Sequence, residues 1–210
     1  MKIAIIGAGS VGGTLGRGWA AAGHEIKFGV RDAAKVEVVK LVKEIGSRAG
    51  ADGIALAAAF GEVVVLATPW EAAQAAIQSA GNLSGKVLID CTNPLQPGLA
   101  GLSLGHTTSA GEEVSKWATG ARVVKAFNTT GAPNMANPRF GGSPAVMFMA
   151  GDDLPAKTTV QKLGEDLGFE MVDAGGLAQA RLLEPMAMLW IHLAFKQGLG
   201  RDFAFGLLRR

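Results

Sequence analysis

Along the chain, short and wholly apolar runs alternate with longer stretches whose apolar residues recur every three or four positions. The runs predict strands at 2–6, 25–30, 62–67, 86–91, 122–127, 145–150 and 169–172, with a short one around 52–56. The periodic stretches predict helices at 11–22, 33–45, 71–80, 109–117, 154–167 and 177–195. Ser109 followed by Glu112 forms a capping box at one helix start. The strand runs lack strict apolar–polar alternation, so both of their faces should be covered. Strand after helix after strand then predicts an α/β protein with a doubly wound parallel sheet. In such sheets ligands sit beyond the carboxyl ends of the strands. That draws attention to the loops opening at Gly7, Arg31, Thr68, Thr92 and Asn128.

Gly7-Ala8-Gly9-Ser10-Val11-Gly12 follows the first apolar run directly and opens the first helix. In that setting the G-x-G-x-x-G spacing is a dinucleotide fingerprint of a Rossmann fold. Gly7 permits the tight turn, Gly9 lets the backbone approach a pyrophosphate, and Gly12 lets the helix pack close to the sheet. The helix N-terminus adds free N–H groups and the positive end of its dipole. Residues 1–176 carry this NADP-binding pattern, and 177–210 read as a short C-terminal helical extension.

The second strand ends at Val30 without an acid to hold a ribose 2′-hydroxyl. Arg31 follows, and Lys35 lies a turn further on. A guanidinium and an ammonium there suit a 2′-phosphate, which favours NADPH over NADH. Asp32 reads as the N-cap of a helix beginning at Ala33, with ribose binding as the alternative.

Composition narrows the remaining chemistry. Hydrophobic residues make up 49% and charged residues 18%, enough apolar material for one core. A net charge of +2 argues for neither nucleic acid nor an anionic membrane as partner. The single cysteine, Cys91, excludes an internal disulfide or a cysteine-based metal site and fits a reducing cytoplasm. It ends an apolar strand and reads as buried and inert. No run reaches the roughly 18 apolar residues of a membrane span, so a cytoplasmic protein is expected. There is no tyrosine to act as a general acid. Of three histidines, His24 reads as a loop residue and His192 as a core or interface residue. His106, in the glycine-rich loop 98–111, is the one to consider as a proton donor. The pairs Glu112-Glu113 and Asp152-Asp153 lack histidines at metal-ligand spacing and read as solvated helix starts, so no metal is expected.

Taken together, these motifs resemble the coenzyme-F420-dependent NADP oxidoreductases. The likeness runs through Gly23-His24-Glu25, Gly29-Val30-Arg31-Asp32, Ala67-Thr68-Pro69-Trp70-Glu71, Asp173-Ala174-Gly175, Ala180-Arg181-Leu182 with Glu184, and the closing apolar helix. The same fold appears in the cytosolic domain of the STEAP metalloreductases. The resemblance implies phosphate binding at Gly9, Ser10, Val11 and Gly12, 2′-phosphate contacts at Val30, Arg31 and Lys35, and nicotinamide-side contacts at Trp70 and its neighbours. Where archaeal F420 enzymes carry a histidine, this chain has Asn128, within Lys125-Ala126-Phe127-Asn128-Thr129, a run more like the STEAP branch. The second cofactor therefore stands open between F420, FMN and FAD.

Hydride transfer between two stacked ring cofactors needs alignment more than a protein acid or base. A chain without an evident catalytic triad fits that reaction, with an imine or carbonyl reductase and a non-enzymatic NADP(H) sensor as alternatives. Thr68, Pro69 and Trp70 form either a wall of the nicotinamide pocket or a proline-led helix start with a packing tryptophan. Asn93 is either a ligand to the ribose or carboxamide or a turn former before Pro94. Asn128, at a strand's carboxyl end, reads as a site residue. The helix at 177–195 is apolar around most of its circumference, which predicts a homodimer interface. Pro185 should kink it or start a second segment.

Overall fold

The computed structural model describes every residue except Arg209. The amino-terminal half runs β1 (Lys2–Ile6), α1 (Ser10–Ala21), β2 (Glu25–Val30), α2 (Val36–Ile45), β3 (Ala49–Gly53), α3 (Ile54–Phe60), β4 (Val63–Leu66), α4 (Trp70–Ala80) and β5 (Val87–Asp90). The rest runs α5 (Ala110–Trp117), β6 (Arg122–Lys125), α6 (Ala132–Ala136), a small hairpin of β7 (Arg139–Phe140) and β8 (Ser143–Pro144), β9 (Val146–Gly151), α7 (Leu154–Leu167), β10 (Glu170–Asp173) and α8 (Ala180–Phe195).

The main sheet has the order β10-β9-β6-β5-β4-β1-β2-β3. From β3 to β6 all neighbours pair in parallel, so the chain leaves β1, β2, β4, β5 and β6 at one edge. The sheet is mostly parallel, as the doubly wound pattern predicts, with one antiparallel pairing. β9 pairs antiparallel with β6, Val124 opposite Gly151, and β10 runs parallel to β9. A parallel strand needs a crossover, commonly a helix laid across the sheet. Here the segment after β6 holds only α6 and the β7–β8 hairpin, and β9 starts from the carboxyl edge where β6 ends. Its first residues therefore lie on the ligand side.

Alternate strand residues feed two cores, as a period of two requires. Ile3, Ile5, Val63, Val65 and Ile89 pack with Leu15, Trp19 and Phe28 on one face. Ala4, Ile6, Val64, Leu66 and Leu88 pack with Ala73, Ile77, Val114 and Leu177 on the other. Both faces of the central strands are buried, which is why those strands are apolar without alternation.

Several local expectations change. The strand expected at 52–56 lies at Ala49–Gly53, and the residues after it form α3. AGADG has little strand propensity, and pairing with β2 holds it extended. The last helix begins at Ala180 after a 3₁₀ turn at Leu177–Gln179, and Pro185 lies inside one continuous helix. Only one side of α8 is buried, through Ala180, Leu183, Glu184, Ala187, Trp190 and Ala194. Leu182, Leu189 and Phe195 are exposed. His192 is exposed as well and pairs with Gln197, so it is not a core residue. No described helix is long and apolar enough to cross a membrane. Among the described residues no cluster of three or more His, Cys, Asp and Glu side chains suits a metal.

Candidate active site

The glycine-rich turn links the end of β1 to α1. Gly7 has φ +106°, and a Cβ there would stand 2.5 Å from the Ala67 carbonyl oxygen. A Cβ on Gly12 would stand 2.1 Å from the Gly7 carbonyl oxygen. The protein's own packing thus demands glycine at both positions. Gly9 differs: a Cβ there meets no protein atom within 4 Å. The open space above Gly9 is a cradle that a side chain would fill and a closely approaching ligand can use. Gly9 is also the N-cap of α1, which has no side-chain cap and no acid in its first turn. The N–H groups of Ser10, Val11 and Gly12 are left for an anion.

At the end of β2, Val30 is half-buried, and Arg31 and Lys35 are exposed. Asp32 does not cap α2. Its Oδ1 accepts the Ala34 N–H at 2.9 Å in a local turn, and α2 begins only at Val36 with Lys35 at the N-cap position. Lys35 Nζ lies 3.7 Å from Glu37.

A cleft of about 610 Å³ runs from this turn to α8. Ala8, Gly9, Ser10 and Val11 line one end, and Ala187, Trp190, Ile191 and Phe195 the other. Asn93 and Asn128, from the loops after β5 and β6, lie between them. Asn93 Nδ2 donates to the Asn128 carbonyl at 3.0 Å, and Asn128 Nδ2 donates to Asn93 Oδ1 at 3.1 Å and to the Leu183 carbonyl at 3.3 Å. Two facing acceptors set the orientation of the Asn128 amide. Its Oδ1 is then buried without a partner. An unpaired buried acceptor costs about 1–3 kcal/mol, and a ligand N–H at this place would relieve it.

Beneath the asparagines lies a buried ionic network for which no single segment carries a signal. Lys125 Nζ lies 2.9 Å from both Asp90 Oδ2 and Glu184 Oε1, with all three residues within 1% of full burial. It also donates to the Thr92 carbonyl. Asp90 Oδ1 accepts the Thr92 N–H and hydroxyl at 2.9 and 2.7 Å. Glu184 accepts the Ala110 and Gly111 N–H groups at 2.9 and 3.1 Å, at the positive end of α5. Burial by itself pushes the Lys125 ammonium down, but Asp90 and Glu184 reverse this and hold its pKa above the ordinary value. The network joins β5, β6, α5 and α8 below the cleft. Arg181 reinforces it by gripping Glu112 at 2.6 and 2.8 Å. That grip, with the Ser109 hydroxyl, lowers the Glu112 pKa, although partial burial opposes it.

Other expected site residues lie elsewhere. Trp70 takes its packing alternative, stacked on Trp117 at 5.2 Å, and does not line the cleft. Pro69 is the exposed N-cap of α4. Thr68 packs near the turn, with a methyl 3.5 Å from the Cβ position of Gly7 and its buried Oγ1 unpartnered. His106 is not brought to the cleft. It is exposed, has φ +60°, and lines a second cavity of about 930 Å³ with Leu102, Leu104, Arg181, Leu182 and Met188, against another face of α8. None of the glycine-turn residues reaches that larger cavity, so it is not the dinucleotide site. Cys91 is buried, and burial, helped by Asp90, raises its thiol pKa far above the ordinary value. The thiol is an inert packing group.

Residues 2–94 match the family described as NADP oxidoreductase, coenzyme F420-dependent. The F420-dependent NADP reductase of Methanothermobacter marburgensis is 34% identical over 211 residues, covering 93% of each chain. A solved structure of a candidate F420-dependent NADP reductase from Arthrobacter sp. fb24 superposes with a TM-score of 0.90 at 34% identity over 100% of both chains. The metalloreductase STEAP3 of Rattus norvegicus is 34% identical over 128 residues, covering 60% of this chain and 25% of that one.

Proposed function

The chain belongs to the coenzyme F420-dependent NADP oxidoreductase family and is an NADP-dependent oxidoreductase, and from that premise we propose that it passes hydride between NADP(H) and a flavin-type partner, F420 or a flavin such as FMN or FAD. The reading rests on one observation: a single open cleft joins the unfilled space above Gly9 to an apolar wall of Ala187, Trp190, Ile191 and Phe195. Such a cleft offers a dinucleotide the phosphate turn at one end and a ring acceptor an apolar face at the other. NADP(H), when bound, supplies or receives the hydride.

The chain's own residues bind, orient and exclude water. The N–H groups of Ser10, Val11 and Gly12 hold the pyrophosphate, with Gly7 and Gly9 shaping the approach. Arg31 and Lys35 hold the 2′-phosphate beside Val30. Asn128 Oδ1 accepts an N–H from the nicotinamide carboxamide, and Asn93 fixes the Asn128 amide for that purpose. Thr68 supports the turn from behind. The α8 wall keeps water from the ring face. No side chain is required as acid or base, because alignment is the main protein contribution to this chemistry.

The test is to titrate the protein with NADPH and NADH, then follow loss of reduced-nicotinamide absorbance with F420, FMN, FAD and riboflavin. Turnover with one of them supports the reading, and tight NADPH binding without turnover on any sinks it. Arg31→Ala should weaken NADPH by roughly 10–100-fold and leave NADH unchanged, the size of a lost hydrogen bond to a charged group. Equal losses for both would remove Arg31 from the 2′-phosphate site. Asn128→Leu should lower kcat/KM by about 5–100-fold. Because the effect is confined to the nicotinamide end, the affinity for 2′,5′-ADP should not move, and parallel losses in both would assign Asn128 a structural role.

The reading includes a homodimer in which a second copy covers the exposed leucines of α8, Leu182 and Leu189. Light scattering on the purified protein tests this, and a monomer at micromolar concentration would remove it.

A further inference from the structure

The segment after α8 returns to the cleft and is held there. Gly198 and Gly200, with φ +72° and +75°, reverse the chain. Trp190 Nε1 and Asn134 Nδ2 both donate to the Phe203 carbonyl, at 2.9 and 2.7 Å. The Val146 N–H at the start of β9 donates to the Phe205 carbonyl at 3.0 Å. The Phe203 ring stacks on Trp190 at 5.3 Å, and Phe205 meets Phe203 edge-on. Backbone and rings alike fasten this tail to the aromatic wall of the cleft and to the sheet edge.

Arg201 sits between the reversing glycines and the fastened phenylalanines, and its exposed side chain lines the cleft. The other charged groups lining the cleft are already engaged. Arg17 is paired with Glu44 at 2.6 Å, and Glu37 faces Lys35. Among the described residues no carboxylate pairs with Arg201, its neighbour Asp202 included. The tail therefore presents an uncommitted guanidinium at the α8 end of the cleft, beside Trp190 and Phe195. The 2′-phosphate of NADP(H) is served by Arg31 and Lys35 at the end of β2.

We infer that Arg201 is a specificity-determining residue for the hydride acceptor, the group that grips the acceptor's phosphate or comparable anionic arm. This rests on the proposed hydride transfer to a flavin-type partner. A guanidinium offers a planar fork of donors matched to phosphate oxygens, and the neighbouring rings give the acceptor a face to lie on. A neutral ring without the arm meets the same wall and lacks the ion pair.

The experiment uses the full chain saturated with NADP⁺ for binding and NADPH for turnover. Two pairs of probes differ only in the arm: FMN against riboflavin, and F420 against its deazariboflavin core. Affinity is read from quenching of probe fluorescence, and turnover as kcat/KM. For at least one pair, the protein should favour the anionic member by about tenfold or more. Arg201→Gln should abolish that preference by weakening the anionic member alone, Arg201→Lys should keep part of it, and NADPH affinity should hold in both. Turnover without any preference for the arm, or a preference that survives Arg201→Gln, overturns the inference and leaves the hydride-transfer reading standing. Loss of NADPH affinity in Arg201→Gln with the acceptor preference intact also overturns it, and assigns Arg201 to the dinucleotide. An Arg201-dependent preference in binding with no turnover sinks the hydride-transfer reading and, with it, the assignment of Arg201 to a hydride acceptor. Failure of every probe to bind sinks both.

Discussion

Replacing Lys125 with methionine is expected to destabilise the protein by about 3–5 kcal/mol, the usual consequence of removing one partner from a buried ion network. Among the described residues Lys125 is the only cation paired with Asp90 and Glu184, and all three side chains are sealed from water. Methionine fills a similar volume but leaves two buried carboxylates without a counterion, held only by backbone N–H groups and the Thr92 hydroxyl. Chemical denaturation should show the lost stability as a lower midpoint at unchanged slope. Neutralising all three, with Asp90→Asn and Glu184→Gln added to Lys125→Met, should recover part of the loss, because no buried charge then lacks a counterion. A single-variant loss below about 1 kcal/mol would show that water or rearrangement relieves the site, against the desolvation argument. The pH sign follows from the raised Lys125 pKa. A group raised above its unfolded value contributes stability below that value, here 10.5, and loses it only as pH climbs through the higher folded value. The wild-type contribution should therefore be level through neutral pH and fade only in strong alkali. Activity should fall as well, since the network anchors the loops that carry Asn93 and Asn128.

Gly12→Ala is the second large effect. The new Cβ would lie 2.1 Å from the Gly7 carbonyl oxygen and 3.1 Å from the Ile5 side chain. The first of these is backbone, so no rotamer change relieves it. Either the turn opens or α1 moves off the sheet, at about 1–3 kcal/mol of overpacking strain. A displacement near 1 Å at the pyrophosphate end is enough to cost on the order of 100-fold in a step that depends on alignment. Gly9→Ala supplies the contrast. Its Cβ meets no protein atom, so stability should be unchanged while NADPH affinity falls. Thermal melts with and without NADPH, on both variants, separate the two outcomes. A Gly9→Ala protein that binds NADPH as well as the wild type would show that nothing uses the space above Gly9.

Much of this architecture is legible along the chain because it rests on local patterns. Apolar runs such as Ile3–Ile6 and Val63–Leu66 announce strands with both faces covered, and the glycine spacing after β1 announces a phosphate turn whose first and third glycines the packing demands. Ser109 and Glu112 mark a helix start, and their hydrogen bond forms as the pair implies. Asn93, Asn128 and the basic residues after β2 stand out along the chain because a parallel sheet brings successive carboxyl ends to one edge.

What the tertiary structure decided are relations between distant residues with no periodic or spacing signature. The reversal of β9 depends on where the chain after β6 can return, and the run of Val146–Gly151 reads the same in either direction. Lys125, Asp90 and Glu184 are ordinary charged residues in three separate segments, and only the meeting of β5, β6 and α8 makes them one buried network. Trp70 stands beside the expected pocket in sequence, yet its ring stacks on Trp117, a partner from a distant helix. Among its described residues the tail after α8 has no helix or strand of its own. Its place, and with it the position of Arg201, comes from hydrogen bonds to Trp190, Asn134 and Val146. Local propensity determines the elements, and long-range burial and pairing determine which of their polar side chains face one another.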